Sequence, residues 1–332
     1  MLVADVILSA CPVCGQVYYV DANSTGYGDG TTPEITGEHA AWKEISEISG
    51  LQPGNTVLFR RGNSWRQSLK IEVSGEPGNP ITFDAYGEGK KPLIDLSQLQ
   101  EPELADWRDG CCICVGSSTS NVDYIRLSNF RLKGSGYHAA LGIWDGTNTL
   151  TGNDANGFTI EVNDVDVLQS YNANNGDISS DGFSMAGKAQ AVFYNITATK
   201  CRVGDWLPGR TYLAGERVYY ENIGYVCVET HISTNYFEPD KWTSAGYAES
   251  NQCLTLHTSC KAKVYRARFS DCCNAIVNTA GTYCEVYEMC VRGAHKGAVL
   301  PSTPTDEFYP VSYTHLRAHE TSLHLVCRLL LE

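Results

Sequence analysis

The pattern apolar-x-x-apolar-x-apolar recurs at Leu127/Phe130/Leu132, Val162/Val165/Val167, Phe193/Ile196/Ala198, Val264/Ala267/Phe269 and Val286/Met289/Val291. Successive copies are offset by 35, 31, 71 and 22 residues. The shortest offset is one tight coil, and the longest is one coil of about 30 residues plus an insertion of about 40. A single unit of this kind cannot bury its own apolar side, so stacking has to supply the core. Across the long offset, Asp181-Gly-Phe-Ser-Met-Ala186 lies over Gln252-Cys-Leu-Thr-Leu-His257. In that register Phe183, Met185, Leu254 and Leu256 point inward, while Ser184, Ala186, Thr255 and His257 point outward. Leu141-Gly-Ile-Trp144 fits an earlier coil and adds Trp144 to the same outward column. Arg131, Asp166, Thr197 and Arg268 form a second one.

The first hundred residues have a different order. Val17-Tyr-Tyr-Val-Asp21 reads as a strand, followed by the Gly/Asp loop Gly26-Tyr-Gly-Asp-Gly30. Trp42, Ile45 and Ile48 then recur every three residues, which predicts a short capping helix with one apolar stripe. Leu51-Gln-Pro-Gly54 ends it. Alternating strands follow at Thr56–Arg60, Gln67–Val73, Pro80–Tyr86 and Pro92–Asp95.

These residues carry a family resemblance over about 80 positions. Tyr18-Tyr-Val-Asp-Ala22, Ala41-Trp-Lys-x-Ile45, Leu51-x-Pro-Gly-Asn-Thr-Val57, Arg61-Gly-x-x-Trp-Arg66 and Gly78-Asn-Pro-Ile-Thr-Phe-x-Ala-Tyr-Gly87 resemble the entrance of the pectate-lyase-like β-helix superfamily. The resemblance and the repeat imply the same all-β fold. It is a right-handed parallel β-helix with a short N-terminal capping helix and a small inserted three-stranded β module. A cap is needed because the end coil of a stack is apolar and open.

The insertion occupies residues 206–243, dividing the β-helix into 17–205 and 244–310. It reads Trp206-x5-Tyr212-x2-Gly215-x2-Val218-x-Tyr220-x4-Tyr225-x-Cys227-x3-His231, then Pro239-x2-Trp242. This resembles the chitin-binding type 3 module, with Glu216 where Asp is common. The resemblance implies sugar binding by Trp206, Tyr212, Tyr225 and Trp242, since aromatic rings offer an apolar face with a polar edge. In so small a module some of these rings must instead form the core, as they would in a purely structural spacer.

Charge narrows the partners. The chain has 332 residues and a formal net charge of −13, which argues against a nucleic-acid partner because a phosphate backbone needs clustered Lys and Arg. No apolar run approaches the roughly 20 residues of a membrane span. The 31 glycines suit a turn-rich β protein.

On such a fold two reactions fit. A uronate lyase needs a base and a cation beside the carboxylate, and an inverting hydrolase needs two carboxyl groups spaced to admit water. The candidate catalytic residues are Asp181 and His257, with Trp144 beside them as a stacking ring. Ser179-Ser-Asp181-Gly182 resembles the Asn-Thr-Asp-Gly of polygalacturonase-like hydrolases, and Gly204-Asp205 their next acidic pair. Only one Asp of that pair is present and no Gly-His-Gly follows. The alternative for Asp181 is a turn residue before Gly182, and for His257 a solvated side chain. Asp164 and Asp166 could contribute to a Ca²⁺ site, although alternating carboxylates on a strand are weak evidence; no other cofactor is indicated.

Cys201 and Cys272 share the offset of 71 and should stack about 4.8 Å apart, within disulfide reach. A buried free thiol is the commoner state in a coil interior. Residues 1–16 read as a truncated signal or a first strand: Val3 to Cys11 is apolar apart from Asp5, but lacks a basic leader. Residues 311–332 resemble a translated sequencing adapter, which implies a natural chain longer than 310 residues and few contacts between this segment and the β-helix. The expected protein is therefore extracellular. It binds and cleaves a polysaccharide, chitin-like or a uronic-acid polymer. The rival readings are a non-catalytic phage or surface adhesin, trimeric if a tail spike, and a purely structural spike.

Overall fold

The computed structural model describes residues 15–98, 110–117, 122–135, 139–145, 157–170, 181–201, 205–221, 223–246, 252–257, 260–278, 282–299 and 307–317. The expectations for residues 1–14, for Ser179, Ser180 and Gly204 of the hydrolase-like motifs and for 318–332 lie outside these.

The chain winds into a right-handed parallel β-helix with three faces. The first face stacks Val17–Val20, Thr56–Arg60, Ile81–Tyr86, Ile125–Ser128, Ile160–Asn163 and Gln190–Tyr194. The second stacks Ser64–Trp65, Leu93–Asp95, Arg131–Lys133, Asp166–Gln169 and Thr197–Cys201. The third stacks Leu69–Ile71, Ile113–Val115, Ala139–Trp144, Asp181–Ala186 and Gln252–Leu256. Two long strands, Lys261–Asn278 and Tyr283–Val299, then run through all three faces in turn.

The inward ladders explain the repeat. On the first face Val57, Phe83, Leu127, Val162, Phe193, Val264 and Val286 are consecutive partners, and all are buried. On the second face Ile94, Leu132, Val167, Ala198, Phe269 and Val291 do the same. Each strand alone hides one row of side chains, and the coils above and below complete its burial. Between the first two faces the chain turns through one residue at positive φ: Asn129, Asp164, Asn195, Arg266 and Glu288. This left-handed residue is the second x of the repeat, and it lets a coil change direction without a longer loop.

The expected capping helix is corrected by the structure. Only a three-residue 3-10 turn forms, Ile45–Glu47. Trp42, Ile45 and Ile48 do pack on the core, but their spacing of three suits a 3-10 turn, in which residues i and i+3 align. Side chains also satisfy the amides that a longer helix would use. Gln67 Oε1 accepts from Ile45 N at 2.9 Å, and Glu47 Oε2 accepts from Lys43 N at 2.6 Å and Glu44 N at 3.0 Å. Ile48 is already extended, and Gly50 at φ +67° turns the chain away. Trp42 is buried beside the first coil, and its indole stacks on Tyr18 with ring centres 4.8 Å apart.

The module is inserted between the second and third faces. Arg217–Tyr220, Ile223–Cys227 and Trp242–Gly246 form an antiparallel three-stranded sheet, with Thr211–Tyr212 paired to His231–Ile232 beside it. At the other end of the chain, Glu307–Arg317 pairs with Tyr283–Val299 through three register shifts. Residues 311–317 thus extend the sheet, contrary to the expectation of few contacts. An unpaired strand edge accepts backbone from whatever segment follows it.

Candidate functional site

The third face presents the outward column expected from the sequence. Trp144 pairs with Ala186, and His257 N donates to Met185 O at 2.8 Å, so Trp144, Ala186 and His257 occupy three successive coils. Two coil spacings separate Trp144 from His257, about 9.6 Å. The Trp144 indole folds back over Gly142, where an added Cβ would lie 2.4 Å from Nε1. Glycine at 142 is therefore what lets the ring lie flat along the sheet.

Further along the same face the column closes. Ser184 and Thr255 are each only 2% exposed and Asp181 only 7%. The Asp181 carboxylate accepts from Gln252 N at 3.0 Å and sits beside the Thr255 hydroxyl, which also donates to Gln252 Oε1 at 3.2 Å. Burial pushes the Asp181 carboxyl up to about 7, against the opposing pull of the Thr255 and Gln252 hydrogen bonds. Of the sequence-derived column, Trp144, Ala186 and His257 reach solvent, and Asp181, Ser184 and Thr255 do not.

Asp181 and His257 lie on adjacent coils but at opposite ends of their strands. His257 is level with Ala186, five residues beyond Asp181, so the two are about 16 Å apart along the strand at ~3.3 Å per residue. An acid and a base acting on one glycosidic bond stand about 5–9.5 Å apart. Asp181 and His257 therefore do not form such a pair.

The Asp164 and Asp166 carboxylates, considered for Ca²⁺, are held by a lysine instead. Lys91 Nζ lies 2.8 Å from Asp164 Oδ1 and 2.7 Å from Asp166 Oδ2, and Thr197 Oγ1 donates to Asp166 at 2.7 Å. Lys91 comes from a coil before the repeat becomes legible, so counting offsets does not bring it to the two carboxylates. Among the described residues no group of three or more His, Cys, Asp and Glu side chains is arranged to hold a metal ion. Nor is any helix there long and apolar enough to cross a membrane.

In the inserted module the four proposed sugar-binding rings divide. Tyr212 is 0% exposed, with its hydroxyl accepting from Leu207 N at 2.6 Å, and Trp242 is buried against it at 5.0 Å. These two are core, because a module of this size has little else with which to exclude water. Trp206 and Tyr225 remain partly exposed and pack on Phe237, which also stacks on Tyr220 at 4.2 Å and 5°. Phe237 lies at the centre of this cluster and escaped the sequence reading. The signal was the Phe-Glu-Pro run that leads into the 3-10 turn Pro239–Lys241.

No protein-family model matches the chain, and no curated protein matches it in sequence. Among solved structures it is similar to the GH136 lacto-N-biosidase from Eubacterium ramulus, at 13% identity and a TM-score of 0.35, over 90% of this chain and 67% of that one. It is also similar to an alginate lyase from Paenibacillus sp. str. FPU-7, at 11% identity and a TM-score of 0.33, over 82% of this chain and 96% of that one.

Proposed function

We propose that this protein binds a polysaccharide along the outward column of the third face and cleaves it there. The observation that carries the reading is the placement of Trp144 and His257. They are partly exposed residues in one line, separated by two coil spacings, close to the length of a disaccharide repeat. Trp144 supplies a ring for one sugar to stack on. His257 exchanges the proton, the general acid–base role that histidine side chains most often fill. Asp181 acts from within the sheet, fixing Gln252 and Thr255 beneath the column rather than touching the bond. The inserted module adds a second glycan contact through Trp206, Tyr225 and the Phe237 cluster, in keeping with its likeness to chitin-binding modules. An extracellular location is part of the same proposal, since that is where such a polymer would be met.

Purified chain assayed on neutral and uronic polymers tests this. His257→Ala should abolish turnover with binding retained, and Trp144→Ala should weaken binding. Unchanged turnover in both variants removes the column from the mechanism.

The distance between Asp181 and His257 favours one rival, a non-catalytic adhesin using the same surfaces. Binding without turnover on every polymer, together with a trimer in solution, would select it.

A further inference from the structure

The inserted module leaves the β-helix and returns to it beside three cysteines. Cys201 is the last residue of the second-face strand Thr197–Cys201, and Cys253 is the second residue of the third-face strand Gln252–Leu256. The chain between them includes the whole module. Cys272 lies one coil further on, as the in-register partner of Cys201. All three are thiols in the buried core, Cys201 and Cys253 at 0% exposure and Cys272 at 6%. Gly182 shows where the Cys201 sulfur points. A Cβ added to that glycine would lie 2.9 Å from Cys201 Sγ and 2.7 Å from the Cys253 carbonyl oxygen. Because Phe183 pairs with Leu254, Gly182 is level with Cys253 on the preceding coil. The Cys201 sulfur therefore reaches across the corner to the start of the third face, into space that glycine leaves open. Cys253 Sγ points back across the same corner, 3.7 Å from Ala198 O on the strand that Cys201 ends. It lies within hydrogen-bond reach of the Cys201 and Cys272 thiols.

Counting along the repeat pairs Cys201 with Cys272, and the geometry disfavours that pair. In-register neighbours of a parallel ladder carry side chains that point the same way, so their Cβ atoms stay about 4.8 Å apart, beyond the ~3.5–4.5 Å of a disulfide. Cys201 and Cys253 instead point toward one another across a corner. We propose that Cys201 and Cys253 form a disulfide when the chain folds in the presence of a small disulfide oxidant, closing the neck of the insertion. One cysteine thiolate attacks the oxidant, forming a mixed disulfide and releasing one small thiol. The second cysteine attacks that mixed disulfide and releases the other, so the two protons and two electrons lost by the cysteines end on the two small thiols. The exchange takes place while the corner is still open, because the folded coil shuts reagent out. A chain folded in reductant keeps all three thiols. Loop-closure entropy grows with length, and residues 202–252 form the longest stretch between successive coil strands, so a cross-link here restrains the unfolded chain most.

The test is refolding of the full chain from denaturant, either in dithiothreitol or in a mixture of reduced and oxidised glutathione. Remaining thiols are alkylated in denaturant, and the protein is digested without reduction for mass spectrometry. The glutathione sample should yield a peptide linking Cys201 to Cys253, with Cys272 alkylated. It should also melt about 5–10 °C above the dithiothreitol sample. Cys272→Ala should keep both the linkage and the difference in melting, and Cys253→Ala should lose both. The proposal is overturned if Cys201 and Cys253 are both alkylated after refolding in glutathione, if Cys201 is linked to Cys272 in the parent chain, or if the linked chain melts no higher than the reduced one. None of these outcomes depends on what the protein binds, so this inference and the polysaccharide reading fail separately.

Discussion

Cys201 and Cys272 are in-register partners on adjacent coils of the second face, both reduced and both buried. Cys253 approaches both from the start of the third face, and burial in the coil interior raises its thiol well above the ordinary range. A thiol reacts only where reagent can reach it, so burial should keep all three sulfurs inert in the folded chain. Alkylation of the reduced chain at neutral pH followed by mass spectrometry should leave all three unmodified until denaturant is added. Labelling of Cys253 in the native protein at the rate of an exposed thiol would show that the coil interior is open there.

Asp181 predicts a pH dependence. Its carboxyl titrates at about 7 in the folded chain against 3.8 for the unperturbed group. Below about pH 4 both states hold the proton and burial costs nothing through ionisation. Between pH 4 and 7 the unfolded chain ionises first, so this group progressively disfavours the native state, and the effect is complete above 7. Asp181→Asn should thus equal the parent in stability near pH 3.5 and exceed it by about 4 kcal/mol at pH 8. Melting curves of both proteins across that range are the check, and parallel curves would place Asp181 in a wetter site.

Asn278 occupies an inward position on the third face. It is the partner of Leu256, in the ladder of Ile71, Val115, Ile143 and Met185. It is buried, and among the described residues neither amide atom has a hydrogen-bond partner. An unsatisfied buried amide costs about 1–3 kcal/mol, so Asn278→Leu should raise the unfolding midpoint. A lower midpoint would mean that the amide is engaged in solution.

Phe269 tests the register of the second face from the opposite direction. It is fully enclosed between Ala198 and Val291. Phe269→Ala should cost about 3–5 kcal/mol through the cavity it leaves, and Phe269→Asp more, because the charge would be buried without a partner. Denaturant titration reads both, and near-parent stability in either would contradict the inward assignment.

In the inserted module the rings should separate by function. Tyr212→Ala should disorder the module, while Trp206→Ala and Tyr225→Ala should leave it folded and lower retention of the full chain on an insoluble β-linked glycan. Equal retention by parent, Trp206→Ala and Tyr225→Ala would leave the module a spacer.

The coil register was legible in the sequence because burial imposes a local rule. Leu127, Val162, Phe193, Val264 and Val286 had to be apolar at one phase of each turn, so counting offsets sufficed to stack them. The outward column from Trp144 to His257 followed from the same counting. What that column can do was decided only in three dimensions. An offset says which coil a residue occupies but not what lies over it, so it could not show that Ser184, Thr255 and Asp181 are closed off while Trp144 and His257 stay open. Nor could it bring Lys91 to Asp164 and Asp166. Those charges face outward, where side-chain identity is not dictated by packing and leaves no periodic trace. The same holds at the entrance. The spacing of Trp42, Ile45 and Ile48 determined that one stripe would be buried, whereas Gln67 and Glu47, by taking the free amides, determined that the stripe would be a single 3-10 turn.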